Sequence, residues 1–227
     1  MTNLSVRIPT LNNYPGLLRA LKSILSQEYD DYDLIIVDNN SDDGSWPKTQ
    51  LLATEYPHVK VMKNNQRGLA ENWNYCVQTV TSEYLLIFHH DDEMLPGMLK
   101  KSIKFLTEHP TVGFVHTNCY DVNDFGQEHI RITQKKPILR AGIEALTKIA
   151  SDCNIACSSV VVRSECYNKL GKYILNNPSP DSEMWARISR EYDIGHINEP
   201  LVKVYIRMNS SGNIMLRDSD PSLIEEQ

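Results

Sequence analysis

The chain has 227 residues, of which 41% are hydrophobic and 23% charged, and a formal net charge of -6. That length holds one large domain or two small ones with an ample core. The acidic balance argues against a broad nucleic-acid surface, which needs a Lys/Arg stripe. A small anionic ligand stays compatible with it, because a metal or a few placed groups can neutralise a phosphate locally.

The five cysteines are odd in number and lie in mixed apolar settings. They read as buried small hydrophobes in a reducing compartment rather than as a disulfide framework. No signal-peptide pattern opens the sequence, and no apolar run approaches the roughly 20 residues of a membrane span. A cytoplasmic protein is expected. Attachment to the inner face of a membrane or to a larger polypeptide is left open, as is the oligomeric state.

In chain order, Leu4 to Ile8 alternates apolar and polar residues as a short strand, which Pro9 ends. Leu17, Leu18, Leu21, Ile24 and Leu25 fall at helical spacing within Tyr14–Gln27. Asp33 to Asp38 is a short apolar run closed by acid and amide residues, the pattern of a buried parallel strand. A helix over Trp46–Tyr56, a strand over Val59–Met62 and a helix over Leu69–Thr79 follow. Tyr84–Phe88 is a fourth strand and Met98–Thr107 a fourth helix. Strands alternating with helices through residue 107 predict a mostly parallel central sheet with helices on both faces.

The regularity then fades. Val112–Val115 reads as a strand, Asn123–Pro137 as a polar excursion with hairpin potential, and Gly142–Ile149 as a short helix. Ser159–Arg163 is another strand, Ser182–Glu191 a helix and Leu201–Tyr205 a final strand. The expected organisation is a single domain with a nucleotide-binding-like half over 1–107 and an acceptor-binding half over 108–216. A loose tail over 217–227 completes it.

Three strand ends carry chemistry. Asp38 to Gly44 (Asp-Asn-Asn-Ser-Asp-Asp-Gly) follows the second strand, where Asp38 or Asn39 could meet the edge of a base; a polar turn with a helix cap explains it as well. At Asn65–Asn72, Gly68 lets backbone approach an anion at a helix start and Arg67 could bond a diphosphate. An exposed loop and a routine turn are the alternative. The spacing lacks both the Gly-x-Gly-x-x-Gly of a dinucleotide fold and the Gly-Lys-Ser/Thr of a P-loop.

Asp91 and Asp92 close the fourth strand. Two adjacent carboxylates after five apolar residues suit Mg²⁺ or Mn²⁺ better than they suit a helix cap. For His89 and His90, just before them, a nonspecific loop role competes with metal ligation. Asp181 opens a helix after the rigid Asn177-Pro-Ser-Pro180 loop. Alone it reads as a plain N-cap, although a carboxylate facing a cleft there can also accept a proton.

Together these segments resemble the inverting nucleotide-sugar glycosyltransferases of family 2, with their A-type fold and Rossmann-like first half. The likeness runs from Val6 to about Arg207. It rests on Val6–Asn13, Leu25-Ser-Gln27, Ile36–Gly44, Asn65–Asn72, Phe88–Pro96 and Asp181-Ser-Glu-Met-Trp185, in that order and spacing. The resemblance implies a nucleoside-diphosphate sugar donor and a carbohydrate or other hydroxyl-bearing acceptor, with no nucleic acid as partner.

Residue by residue, it implies donor contacts from Pro9, Asp38, Asn39, Arg67, Gly68, Asp91 and Arg207. It also implies a Mn²⁺ or Mg²⁺ site at Asp92 with support from Asp91, and a catalytic base at Asp181. Asn39 stands where the family usually has a base-contacting acid, which weakens any claim that the base is uracil. Pro180 stands where an acid usually precedes the base. Met208 and Asn209 follow Arg207 where members often carry a histidine. These departures make a catalytically inactive nucleotide-sugar-binding module the alternative to a transferase.

Overall fold

A computed structural model describes residues 2–134, 136–151 and 153–206. Arg207 and the tail over 217–227 lie outside the described residues. The expected alternation holds through the first half: β1 (Leu4–Thr10), α1 (Tyr14–Leu25), β2 (Tyr32–Asp38), α2 (Ser45–Glu55), β3 (Val59–Lys63), α3 (Leu69–Gln78) and β4 (Tyr84–Ile87). Then come β5 (Glu93–Met94), α4 (Met98–Glu108), β6 (Val112–Val122), β7 (Glu128–Arg131), β8 (Ile138–Leu139) and α5 (Ile143–Ser151). A single 3₁₀ turn (Cys157–Ser159) leads into β9 (Val160–Arg163), α6 (Glu165–Leu170), α7 (Pro180–Glu191) and β10 (Asp193–Tyr205).

One sheet runs in the order β3-β2-β1-β4-β9-β6-β10-β5, with β7 beside β6 and β8 beside β10. The strands β3, β2, β1 and β4 are parallel neighbours, as the first half predicts. β9 runs antiparallel to both β4 and β6, and β5 antiparallel to β10, so the whole sheet is mixed. Period-two alternation divides its side chains between two cores. Leu34, Ile36, Tyr84 and Leu86 face the side covered by α1 and α4, while Ile35, Val37, Leu85 and Ile87 face α3, α5, α6 and α7.

Pro9 does not end β1, which continues to Thr10 in register with β2. The Arg7 carbonyl accepts from Phe88 N–H just after β4 and the Thr10 carbonyl accepts from Asn39 N–H after β2. Pro9 therefore addresses the β4 side, beyond the last β1–β4 pair, where its missing N–H interrupts no ladder. Its carbonyl instead lies 3.1 Å from His90 Nδ1. Arg7 is fully buried, paired with Asp33 at 2.7 Å and bonded to the Thr79 carbonyl at 2.7 Å.

The hairpin potential of the polar excursion is realised by β6 and β7, whose turn is held by Asn123 Oδ1 accepting from Phe125 and Gln127 N–H, each at 3.0 Å. Among the described residues, no helix is long and apolar enough to cross a membrane.

Candidate donor and metal site

The β1, β2 and β4 strands all end on one edge of the sheet, so their following loops converge there, as ligand-binding loops of open α/β sheets do. The loops are laced together. Asn12 Nδ2 donates to Asp42 Oδ1 at 2.8 Å, and Ser41 Oγ accepts from Asn12 N–H at 3.0 Å. Asn12 and Asn40 hold positive φ angles of 51° and 63°, a conformation that asparagine tolerates better than most residues.

Asp38 is fully buried at the floor. Its Oδ1 accepts from Ser41 N–H at 2.9 Å, whereas its buried Oδ2 has no protein partner. Asn39 is spent differently: its amide donates to the Gly68 carbonyl at 3.0 Å and accepts from Gly68 N–H at 3.3 Å. The open acceptor at this point is thus on Asp38, and Asn39 ties the β2 loop to the start of α3. Gly68 has φ 155° and ψ 151°, a backbone state essentially reserved for glycine. Arg67 is half exposed and forms an ion pair with Asp42 at 2.8 Å. Neither Asp91 nor Asp92 caps a helix, because the N-cap of α4 is Gly97.

Asp92 is buried, with Oδ2 accepting from the Ser158 hydroxyl and Oδ1 from Tyr205 N–H at 3.3 Å. Burial, and then the neighbouring Asp91 charge, push its carboxyl up to about 7. A donor atom of His89 and one from each of Asp91 and Asp92 all lie within 4.8 Å of one another. The Asp91 carbonyl accepts from Arg19, whose guanidinium sits 3.7 Å from the centre of the Tyr205 ring.

Sequence alone does not single out Ser158. It is fully buried, and besides donating to Asp92 it accepts from His89 N–H at 3.0 Å. Nothing in the apolar stretch around it marks it; the antiparallel pairing of β9 with β4 brings it there. Arg131 was missed as well. Its guanidinium binds Asp121 through Nε at 3.0 Å, and its positive charge acts to lower the Asp92 carboxyl.

Asp181 lies in the first turn of α7 without being its N-cap, a place taken by Ser179. Its Oδ1 accepts from Ser182 N–H at 2.8 Å. Glu183, in the same turn, is committed to Arg187 at 2.6 Å. The Cys157 thiol is pushed well above its ordinary value, first by burial and then by the charges of Asp181 and Asp92. Both carboxylates therefore act on one buried sulfur, from α7 on one hand and the end of β4 on the other.

A mixed sheet flanked by helices, with its acidic cluster at the carboxyl edge, defines a GT-A-like α/β fold. The chain belongs to Glycosyl transferase family 2, whose sequence model matches residues 5–181. It is 29% identical over 194 residues to the "Putative glycosyltransferase EpsE" of Bacillus subtilis, covering 83% of this chain and 67% of EpsE. Among solved structures it resembles S. aureus TarS in complex with UDP-GlcNAc, with a TM-score of 0.73 and 16% identity over 92% of this chain. It also resembles the mannosyltransferase PcManGT of Pyrobaculum calidifontis in complex with GDP-Man and Mn²⁺, with a TM-score of 0.68 and 21% identity over 95% of this chain. The chain spans 60% of each of those two solved chains and about a third of some other curated relatives.

Proposed function

We propose that the chain transfers a sugar from a nucleoside-diphosphate sugar to an acceptor hydroxyl with inversion, by a single displacement assisted by Mn²⁺ or Mg²⁺. The observation that carries this reading is the buried Asp92, raised to about 7 beside Asp91 and His89 at the edge where the strand-end loops converge. A buried carboxylate beside a second, partly exposed one is costly to ionise unless a cation joins them. Hard carboxylate oxygens are the donors that Mg²⁺ and Mn²⁺ prefer, so the residues fit such an ion. Asp92, with Asp91, would hold it. When bound, it supplies positive charge toward the departing diphosphate.

The chain's own groups do the rest. Asp38 Oδ2, buried and without a protein partner, accepts an N–H from the nucleotide base. Gly68 brings the first turn of α3, whose N-cap makes no side-chain hydrogen bond, close to the diphosphate. Arg67 contributes charge there once released from Asp42. Asp181, oriented by Ser182 N–H, takes the acceptor's proton as that oxygen attacks the anomeric carbon from the face opposite the leaving group. One displacement inverts the configuration. Residues 1–107 then serve the donor, and 108–216 the acceptor and the base.

The alternative is a module that binds the nucleotide sugar without transferring it, favoured by Pro180 standing where the family usually has a second acid. A donor screen that follows nucleoside diphosphate release with and without Mn²⁺ or Mg²⁺ separates the two. Turnover of one donor that requires the metal is expected. Asp181→Asn is expected to lower turnover at least about a thousandfold while donor affinity changes less than about threefold. Wild-type binding of a donor with no turnover on any acceptor would support the module.

A further inference from the structure

The two adjacent histidines at the end of β4 have unlike surroundings. His90 has a backbone partner, the Pro9 carbonyl, at 3.1 Å from Nδ1. His89 is held firmly but its ring is not satisfied. Its backbone N–H donates to Ser158 Oγ at 3.0 Å, and its ring stacks on Trp73 with centroids 5.3 Å apart and planes 25° apart. That stack fixes the ring's plane, yet its buried Nε2 has no hydrogen-bond partner. A buried polar atom without a partner calls for an explanation, and an ion is one of the few available.

The geometry supplies a place for an ion. A donor atom of His89 lies within 4.8 Å of one on Asp91 and one on Asp92. Atoms bound to a common ion at about 2.1–2.2 Å sit about 3–4 Å from one another, so a modest inward turn of these side chains would let the three share one. No ion pair joins His89 to either carboxylate among the described residues. Ser158 holds both sides of the cluster, the His89 backbone and the Asp92 carboxylate, through one hydroxyl.

We infer that His89 is a nitrogen ligand of the divalent cation and sets the metal preference of the site, favouring Mn²⁺ over Mg²⁺. The inference rests on the proposed reading that Asp92 and Asp91 hold a divalent cation. Mg²⁺ takes oxygen donors at near-ideal octahedral geometry and gains little from imidazole. First-row transition ions accept imidazole readily, and Mn²⁺ is the one that also suits a carboxylate and phosphate setting.

Pulsed electron paramagnetic resonance of Mn²⁺ bound to the intact chain, alone and with UDP or GDP, tests this without reference to turnover. Protein grown with ¹⁵N-histidine is expected to show a ¹⁵N coupling in place of the ¹⁴N coupling of unlabelled protein, whichever nucleotide is present. The coupling is expected to vanish in His89→Asn and to persist in His90→Gln. Competition binding is expected to show about a tenfold or greater loss of Mn²⁺ affinity in His89→Asn, with Mg²⁺ affinity changed less than about threefold. Bound Mn²⁺ with no histidine coupling, or a coupling that survives His89→Asn, overturns the assignment and leaves the donor-site reading standing. Failure of wild-type protein to bind Mn²⁺ any better than Asp92→Asn, with either nucleotide, removes both.

Discussion

Asp92→Asn separates the electrostatic cost of the site from its shape. The unfolded chain loses the Asp92 proton near 3.8, whereas the metal-free folded chain keeps it up to about 7. Between those values the folded state holds the extra proton, so stability declines as pH rises through the window and the loss is complete above about 7. At about 1.4 kcal/mol per unit, a rise of about three units makes the ionised site cost about 4 kcal/mol. The substituted amide carries no charge at any pH, and its oxygen can still accept from Tyr205 N–H.

The measurement is urea unfolding of both proteins in a chelator at pH 5, 6.5 and 8, read as a difference between them. The difference matters because the buried His116 tilts the absolute curve the other way. The variant is expected to gain on wild type with rising pH and to be more stable by about 2–4 kcal/mol at pH 8. Mn²⁺ with a nucleoside diphosphate is expected to reverse that order by stabilising only the wild type. A difference that stays constant from pH 5 to 8, or equal stabilisation of both proteins by Mn²⁺, would refute the reasoning.

Ser158→Ala removes the hydroxyl that donates to Asp92 and accepts from His89 N–H, leaving that part-buried N–H unpaired. Urea unfolding is expected to show a loss of about 1–3 kcal/mol, and no measurable loss would mean that the hydroxyl holds neither group. His116 is pushed down to about 3 by burial and by the neighbouring His196. A neutral buried imidazole contributes stability that is full above about 6.5 and drains away as pH falls toward 3. His116→Gln is therefore expected to flatten the acid limb of the stability curve between pH 6 and 3.5. An unchanged limb would assign acid sensitivity to other groups.

Period-two runs and helical spacing made the first half of the fold readable, because β2 and β4 are buried on both faces and their helices carry one apolar stripe each. Strand direction in the second half was not readable. Val160–Arg163 is an apolar run whichever way its neighbours point, and only the structure sets it antiparallel between β4 and β6. The start of β10 was hidden by Asn198-Glu199-Pro200, where register shifts on either side of Pro200 carry the strand past the break. α6 is six residues long, too short for its spacing to stand out.

The candidate acids stand out in the sequence for a related reason: a charge at the end of a buried apolar run needs an explanation that a charge on a surface does not. Asn39 occupies the base-contacting place by resemblance; its amide is bonded to Gly68, and the acceptor without a protein partner lies one residue earlier, on Asp38.

Burial also keeps the two carboxylates around Cys157 from exchanging roles in the proposed reaction. Asp92 is 4% exposed and bonded to Ser158 and Tyr205, so a proton received there has no ready exit to water. A cation lowers the cost of ionising such a group, and a substrate hydroxyl does not. Asp181 is half-buried in the first turn of α7, where water can carry a proton away. The buried acid is suited to a metal and the half-open one to a proton.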